Sequence, residues 1–206
     1  MPATASMESA HGMQEAPPKV EEKPEWWASS ATLGLMGFGT TTMLAGLTVG
    51  KWTGAGATLS MALFFGGVAQ IIAGIIALRK GNMFAGTAFA GYGLFWWAFV
   101  WVNTTYASAT TPYDYPAFFF IWMLFTLTFL ICAWKHGIGV FLVFLTLWIA
   151  FILLTINAWE TAAGSPLSKG VLQGIGGEIV LVGLLAWLTA TADLANWNFG
   201  RKVIPI

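Results

Sequence analysis

Residues 118–131 read FFFIWMLFTLTFLI. The run carries no charge, and its apolar side chains fall at consecutive positions rather than in the period-two alternation of a membrane β-strand. Its flanks extend the uncharged stretch to 116–134, close to the ~20 residues with which a helix crosses the hydrocarbon core of a bilayer. The same reading applies over 31–49, 57–78, 86–103, 138–156 and 171–195. The breaks between these runs hold glycine, proline and charge. Examples are Gly50 with Lys51, Arg79 to Asn82, Pro112 with Asp114, Lys135 to Gly137, and the long stretch 157–169. The expected fold is therefore all-α, a polytopic six-transmembrane-helix bundle occupying 31–206. Composition agrees: 57% of the 206 residues are hydrophobic and 9% charged, where a soluble domain carries about 25% charged residues.

Residues 1–30 differ in kind. Glu8, Glu15, Glu21, Glu22 and Glu25 stand beside Lys19 and Lys23, with Pro17, Pro18 and Pro24. This reads as a flexible polar tail, and it lacks the basic start and short apolar core of a signal peptide. With six spans, both termini share a side with the second and fourth loops. That side holds Lys19, Lys23, Arg79, Lys80, Lys135, Arg201 and Lys202, against Lys51 and Lys169 on the other. The excess of basic residues places both termini in the cytoplasm of a cell membrane.

The spans are not alike. The first opens LGLMGFGTTT over 33–42, and 81–93 at the start of the third reads GNMFAGTAFAGYG. Glycine weakens a helix by about 1 kcal/mol relative to alanine, so these two segments read as interrupted and pore-lining. Paired glycine-interrupted spans point to a transport site; the alternative is close helix packing through small residues. In the second span Ala62, Gly66, Gln70 and Gly74 share one small face. An amide facing lipid would leave its donors unmet. Gln70 therefore belongs in the bundle interior, either joining helices or lining a pore. Glu178 is the acid well inside a span. It reads as a proton-responsive group, a subunit-interface hydrogen-bonder, or a lip position reached by water.

What is missing also narrows the function. There is no G-x-x-x-x-G-K loop for nucleotide, no Cys/His cluster for a metal, and no Ser/His/acid set. Nothing calls for a cofactor, and the chain reads as a non-enzyme. His11 and His136 fall outside the spans, where His136 reads as solvated. The single cysteine, Cys132, permits no disulfide within the chain. A net charge of zero gives no general attraction for nucleic acid.

Four stretches resemble the acetate uptake transporter family, which includes the bacterial succinate–acetate permeases: LGLMGFGTT at 33–41, FGGVAQIIAG at 65–74, KGNMFAGTAFAGYGLFW at 80–96 and FGRKVIPI at 199–206. The chain departs from the family at 29–35, where SSATLGL replaces the usual NPAPLGL and loses an asparagine and two prolines. The resemblance implies a six-helix protomer, assembled as a ring of six, with one pathway through each protomer. It implies transport of acetate and other small monocarboxylates, sometimes succinate, with proton coupling or channel-like behaviour. It further implies a constriction at Phe38, Tyr92 and Leu147. Thr40, Thr41, Gln70, Asn82 and Thr87 are candidates to bind substrate weakly, with Glu178 as the proton-responsive candidate. Two rival readings stand beside this one: a channel for small neutral solutes such as urea or short amides, and a membrane subunit that transports nothing.

Overall fold

The computed structural model describes residues 28–205. The expected tail at 1–30 therefore lies almost wholly outside the described residues, as do its acidic residues. Six helices are long and apolar enough to cross a membrane: Ala31–Val49, Gly56–Arg79, Met83–Asn103, Asp114–His136, Ile138–Ala162 and Lys169–Phe199. They are called here the first to sixth spans. No strand occurs among the described residues. At about 1.5 Å per residue the first span is about 28 Å long and the sixth about 46 Å, against a hydrocarbon core of ~30 Å. The sixth must tilt or project from the bilayer.

The ends of the spans follow local chemistry. The Asn82 side chain caps the third span by accepting from the Ala85 N–H at 2.9 Å. Pro116 sits in the first turn of the fourth, where a missing N–H removes no helix bond. Gly137 turns the chain from fourth to fifth span with φ of 95°, a conformation that disfavours other residues. After the sixth span, Asn196 Oδ1 accepts from the N–H groups of Val203 and Ile204, at 2.6 and 3.0 Å. That pair of bonds folds the C-terminal motif back onto the helix.

Two sequence expectations need correction. The fifth span continues as helix to Ala162, so 157–162, read as loop, is helical. The glycine-rich first and third spans are also unbroken α-helices, Ala31–Val49 and Met83–Asn103. Their glycines serve packing. Gly39 and Gly46 of the first span face Gly183 and Gly176 of the antiparallel sixth. A Cβ at Gly46 would lie 2.6 Å from the Gly176 carbonyl oxygen, and one at Gly183 would lie 2.5 Å from that of Gly39. The pairs recur after seven residues, two helical turns, so the two backbones stay in contact along the seam. The propensity cost of each glycine is offset by backbone contact along the seam.

Irregular backbone instead occupies the second span. Residues Ala62–Ala69 form a π-helical segment between α-helical pieces, a widening often found at functional sites. The indole N–H of Trp97 donates to the Leu63 carbonyl inside this segment at 2.9 Å. The spans pack in chain order, first on second and second on third, fourth on fifth and fifth on sixth, and the sixth returns to the first. The third and fourth spans meet mainly through aromatic side chains. Phe95 packs edge-on against Trp122 with ring centroids 5.0 Å apart, and Tyr92 against Phe125 at 5.3 Å. Long side chains between these backbones leave room for cavities along the bundle axis.

Candidate functional site

Two cavities lie end to end inside the bundle. The first, of about 160 Å³, opens where the starts of the first and third spans meet the turn between the fourth and fifth. The second, of about 70 Å³, extends toward the opposite end of the bundle. Each axial span contributes a stripe at three- and four-residue intervals. The first gives Ala31, Leu35 and Phe38 to one cavity and Phe38, Thr42, Ala45 and Val49 to the other. The third gives Ala85, Ala88 and Tyr92, then Tyr92, Phe95, Trp96 and Phe99. The fifth gives Val140, Val143, Phe144 and Leu147, then Leu147, Ala150, Phe151 and Leu154. This spacing puts each set on one helical face.

Three residues line both cavities: Phe38, Tyr92 and Leu147. All three are buried, with 5%, 3% and 6% of their surface exposed. The Phe38 and Tyr92 rings pack with centroids 5.6 Å apart. The Tyr92 hydroxyl pairs with the Thr126 hydroxyl at 2.9 Å. Thr126 in turn donates to the Trp122 carbonyl at 2.7 Å, which fixes the phenol against the fourth span. The partition between the cavities is therefore an apolar ring with one phenol held at its side.

The first cavity has a sparse polar lining: Gln70, Asn82, His136 and the phenol of Tyr92. No Lys or Arg lines either cavity. Gln70 is 1% exposed and its Oε1 has no hydrogen-bond partner in the protein. Asn82 lines the cavity while also capping the third span. His136, expected to be solvated, is exposed, and its ring also stacks on Phe84 with centroids 3.9 Å apart at the cavity mouth. Proximity to the cavity in a short turn, rather than depth in a span, is what sequence reasoning missed. Phe84, Ala88, Val143 and Phe144 were also missed. The signal available was the repeated three-four stripe in the third and fifth spans, which in so apolar a chain is hard to separate from lipid-facing surface.

The remaining sequence candidates lie elsewhere. The Thr40 hydroxyl donates to the Met36 carbonyl of its own helix at 2.8 Å, and Thr40 lines neither cavity. Thr87 is exposed on the outer face of the third span. Thr41 is fully buried but beside the second span, away from the lining of either cavity. Glu178 is half-buried, its Oε1 lacks a partner in the protein, and it lines neither cavity. Among the described residues no group of three His, Cys, Asp or Glu could hold a metal ion.

Residues 13–204 match the family described as the GPR1/FUN34/yaaH family. The succinate-acetate/proton symporter SatP of Escherichia coli (strain K12) is 35% identical over 184 residues, covering 87% of this chain and 95% of that protein. Acetate permease A of Emericella nidulans is 30% identical over 197 residues, covering 87% of this chain and 66% of that protein. A solved structure described as that of the bacterial acetate channel SatP superposes with a TM-score of 0.80 at 34% identity, covering 87% of this chain and 99% of that one.

Proposed function

Because this chain belongs to the GPR1/FUN34/yaaH family, we propose that its paired cavities carry acetate and related small monocarboxylates across the membrane through the ring of Phe38, Tyr92 and Leu147. The observation that carries the proposal is that these three side chains alone line both cavities. Relatives described as a succinate-acetate symporter, an acetate permease and an acetate channel support the choice of cargo.

The chemistry of the lining suits a small amphiphilic anion. A lysine or arginine in the path would bind a carboxylate strongly and release it slowly, which opposes flux. Here the carboxylate meets neutral hydrogen-bonding groups, Asn82 at the mouth and Gln70 deeper in, with His136 beside the mouth. The methyl end fits the apolar ring, which strips water from hydrated inorganic ions without replacing it. Carboxyl groups have reference pKa values near ~4, so at neutral pH the cargo arrives as the anion and crosses the ring more easily with a proton. Co-movement of a proton is part of the proposal. So is the side of the membrane: the mouth of the first cavity faces the cytoplasm, a reading supported by Arg79, Lys80, Lys135, Arg201 and Lys202 at that end. Assembly as a ring of six follows the family resemblance. Glu178, away from both cavities, is left outside the path.

The test is counterflow into proteoliposomes at pH 7.5, with radiolabelled acetate and urea run side by side. Acetate exchange well above that of protein-free vesicles, with urea at background, is expected. Urea passing while acetate does not would favour a neutral-solute channel, and no exchange of either would favour a subunit without transport activity.

A further inference from the structure

Beside the mouth of the first cavity lies a side chamber of about 210 Å³, between the first span, the turn from fourth to fifth and the end of the sixth. It shares Ala31, Leu35, His136 and Val140 with the first cavity, so the two are neighbours. Its polar lining comes from His136, Thr189, Asp193 and Asn196. Beyond Asp193 lies an outermost cavity of about 170 Å³, lined also by Ser29, Thr32 and Trp197. Trp197 is 74% exposed, so this last cavity reaches the surface. Two titratable groups therefore stand at the boundaries of a continuous route. His136 belongs to the first cavity and the side chamber, and Asp193 to the side chamber and the outermost cavity.

The side chamber is roomy and polar enough to hold several waters. Two of its polar residues are engaged with backbone. The Thr189 hydroxyl donates to the Leu185 carbonyl at 2.8 Å, and Asn196 Oδ1 accepts from Val203 and Ile204. Asp193 is fixed from one side, where its Oδ2 accepts from the Thr32 hydroxyl at 2.6 Å. Stacking on Phe84 occupies a face of the His136 ring and leaves its nitrogen-bearing edge for the two cavities it lines. Around the imidazole the first span presents Ala31 and Leu35, the third Asn82 and Phe84, and the fifth Val140, none of which titrates. Asp193 of the sixth is the charged group across the chamber, and Lys135 precedes His136 in the turn.

We propose that His136, backed by Asp193 across the side chamber, gives and takes the proton that the carboxylate carries through the ring. For cargo entering this mouth as the anion, the imidazolium N–H gives its proton to a carboxylate oxygen, and the neutral acid goes on to the ring. Water in the side chamber then returns a proton to the imidazole, drawn in turn from Asp193 and the solvent beyond it. For cargo arriving from the ring the same steps run backward. Each step breaks one N–H or O–H bond and forms another, no electrons are transferred, and both side chains return to their starting states. Free protons are scarce at neutral pH, so a side chain that holds one beside the path matters most there. Histidine is the side chain whose ordinary titration spans about pH 5–8. Thr32 is the positioning group that holds Asp193 toward the chamber. The inference rests on the pathway reading, in taking the first cavity as the carboxylate's route.

The test is radiolabelled acetate exchange by the full chain in proteoliposomes, with equal pH on both sides, at pH 7.5 and at pH 5.5. Rates are taken above those of protein-free vesicles. His136→Gln should slow exchange at least about tenfold at pH 7.5 and little at pH 5.5, where the solvent supplies protons. Asp193→Asn, which can keep the bond from Thr32, should slow it in the same way, with the same recovery at acid pH. For His136→Ala, imidazole added on both sides should restore the rate at pH 7.5. Pyrrole, of the same size but without a basic nitrogen, should not. The proposal is overturned if His136→Gln exchanges like the parent at pH 7.5, if it loses as much at pH 5.5, or if pyrrole rescues as well as imidazole. Exchange by Asp193→Asn equal to the parent's would overturn the side chamber as the proton's route. Absence of acetate exchange in the parent would instead overturn the pathway reading.

Discussion

Shortening Leu147 to alanine should widen the ring that divides the cavities and admit a longer cargo. Leu147 is 6% exposed and touches both cavities, so the lost atoms open onto existing space on either side. Buried Leu→Ala changes cost about 2–5 kcal/mol when a sealed void remains; with open flanks the lower end, about 2 kcal/mol, is expected. Selectivity should shift more than stability. A methylene in an apolar pocket is worth about 1–3 kcal/mol of discrimination, or about 10–200-fold, and butyrate exceeds acetate by two. If Leu147 sets the width, the ratio of butyrate to acetate flux should rise by at least about tenfold in Leu147→Ala. Counterflow of both labelled acids in matched proteoliposomes reads the ratio, and thermal unfolding in detergent reads the stability. An unchanged ratio with acetate flux intact would remove Leu147 from the path, and with it the argument from shared lining.

Two further outcomes follow from single contacts. Tyr92→Phe keeps the ring but loses the hydrogen bond to Thr126, whose hydroxyl retains the Trp122 carbonyl. Loss of about 1 kcal/mol of stability with acetate flux near that of the parent is expected, and abolished flux would give the phenol a direct part in permeation. Gly176→Val would push a side chain to within 2.6 Å of the Gly46 carbonyl oxygen and 2.7 Å of the Gly50 backbone. Backbone cannot yield as a rotamer can, so destabilisation beyond the usual ~1–3 kcal/mol of overpacking is expected. Gly177→Ala, inside the sixth helix with open space around it, should instead raise the melting temperature slightly, by about 1 kcal/mol of helix propensity.

Hydrophobic runs made the six spans legible, because about twenty predominantly apolar residues in a row have few other uses. The ends of the fifth span were less so: Asn157 and Glu160 are polar enough to read as loop, yet a helix leaving the bilayer can carry both. The glycine-rich stretches at 33–42 and 81–93 were conspicuous in the sequence, but the same residues serve broken backbone or close packing. Only the distances from Gly39 and Gly46 to the sixth span decide for packing. The π-helical turn at Ala62–Ala69 left no mark that a sequence periodicity could carry. At the candidate site, Gln70 was legible because a lone amide among apolar residues must face inward, and its burial agrees. The threonines were less so, since a helical threonine can return its hydroxyl to its own backbone, as Thr40 does to Met36. His136 was hidden because a turn residue reaches a cavity only through tertiary structure.

The central claim is that acetate travels through these two cavities. Ala88 lines the first of them and is 4% exposed, so a cysteine there places a thiol in the proposed path. In a background where the exposed Cys132 is replaced by serine, Ala88→Cys should be modified by a bulky, membrane-impermeant thiol reagent, with labelling verified by mass. Acetate counterflow should then fall to the level of protein-free vesicles, while the same reagent on Ile131→Cys, at an exposed outer position, leaves it intact. Acetate flux that continues through fully labelled Ala88→Cys would contradict the account.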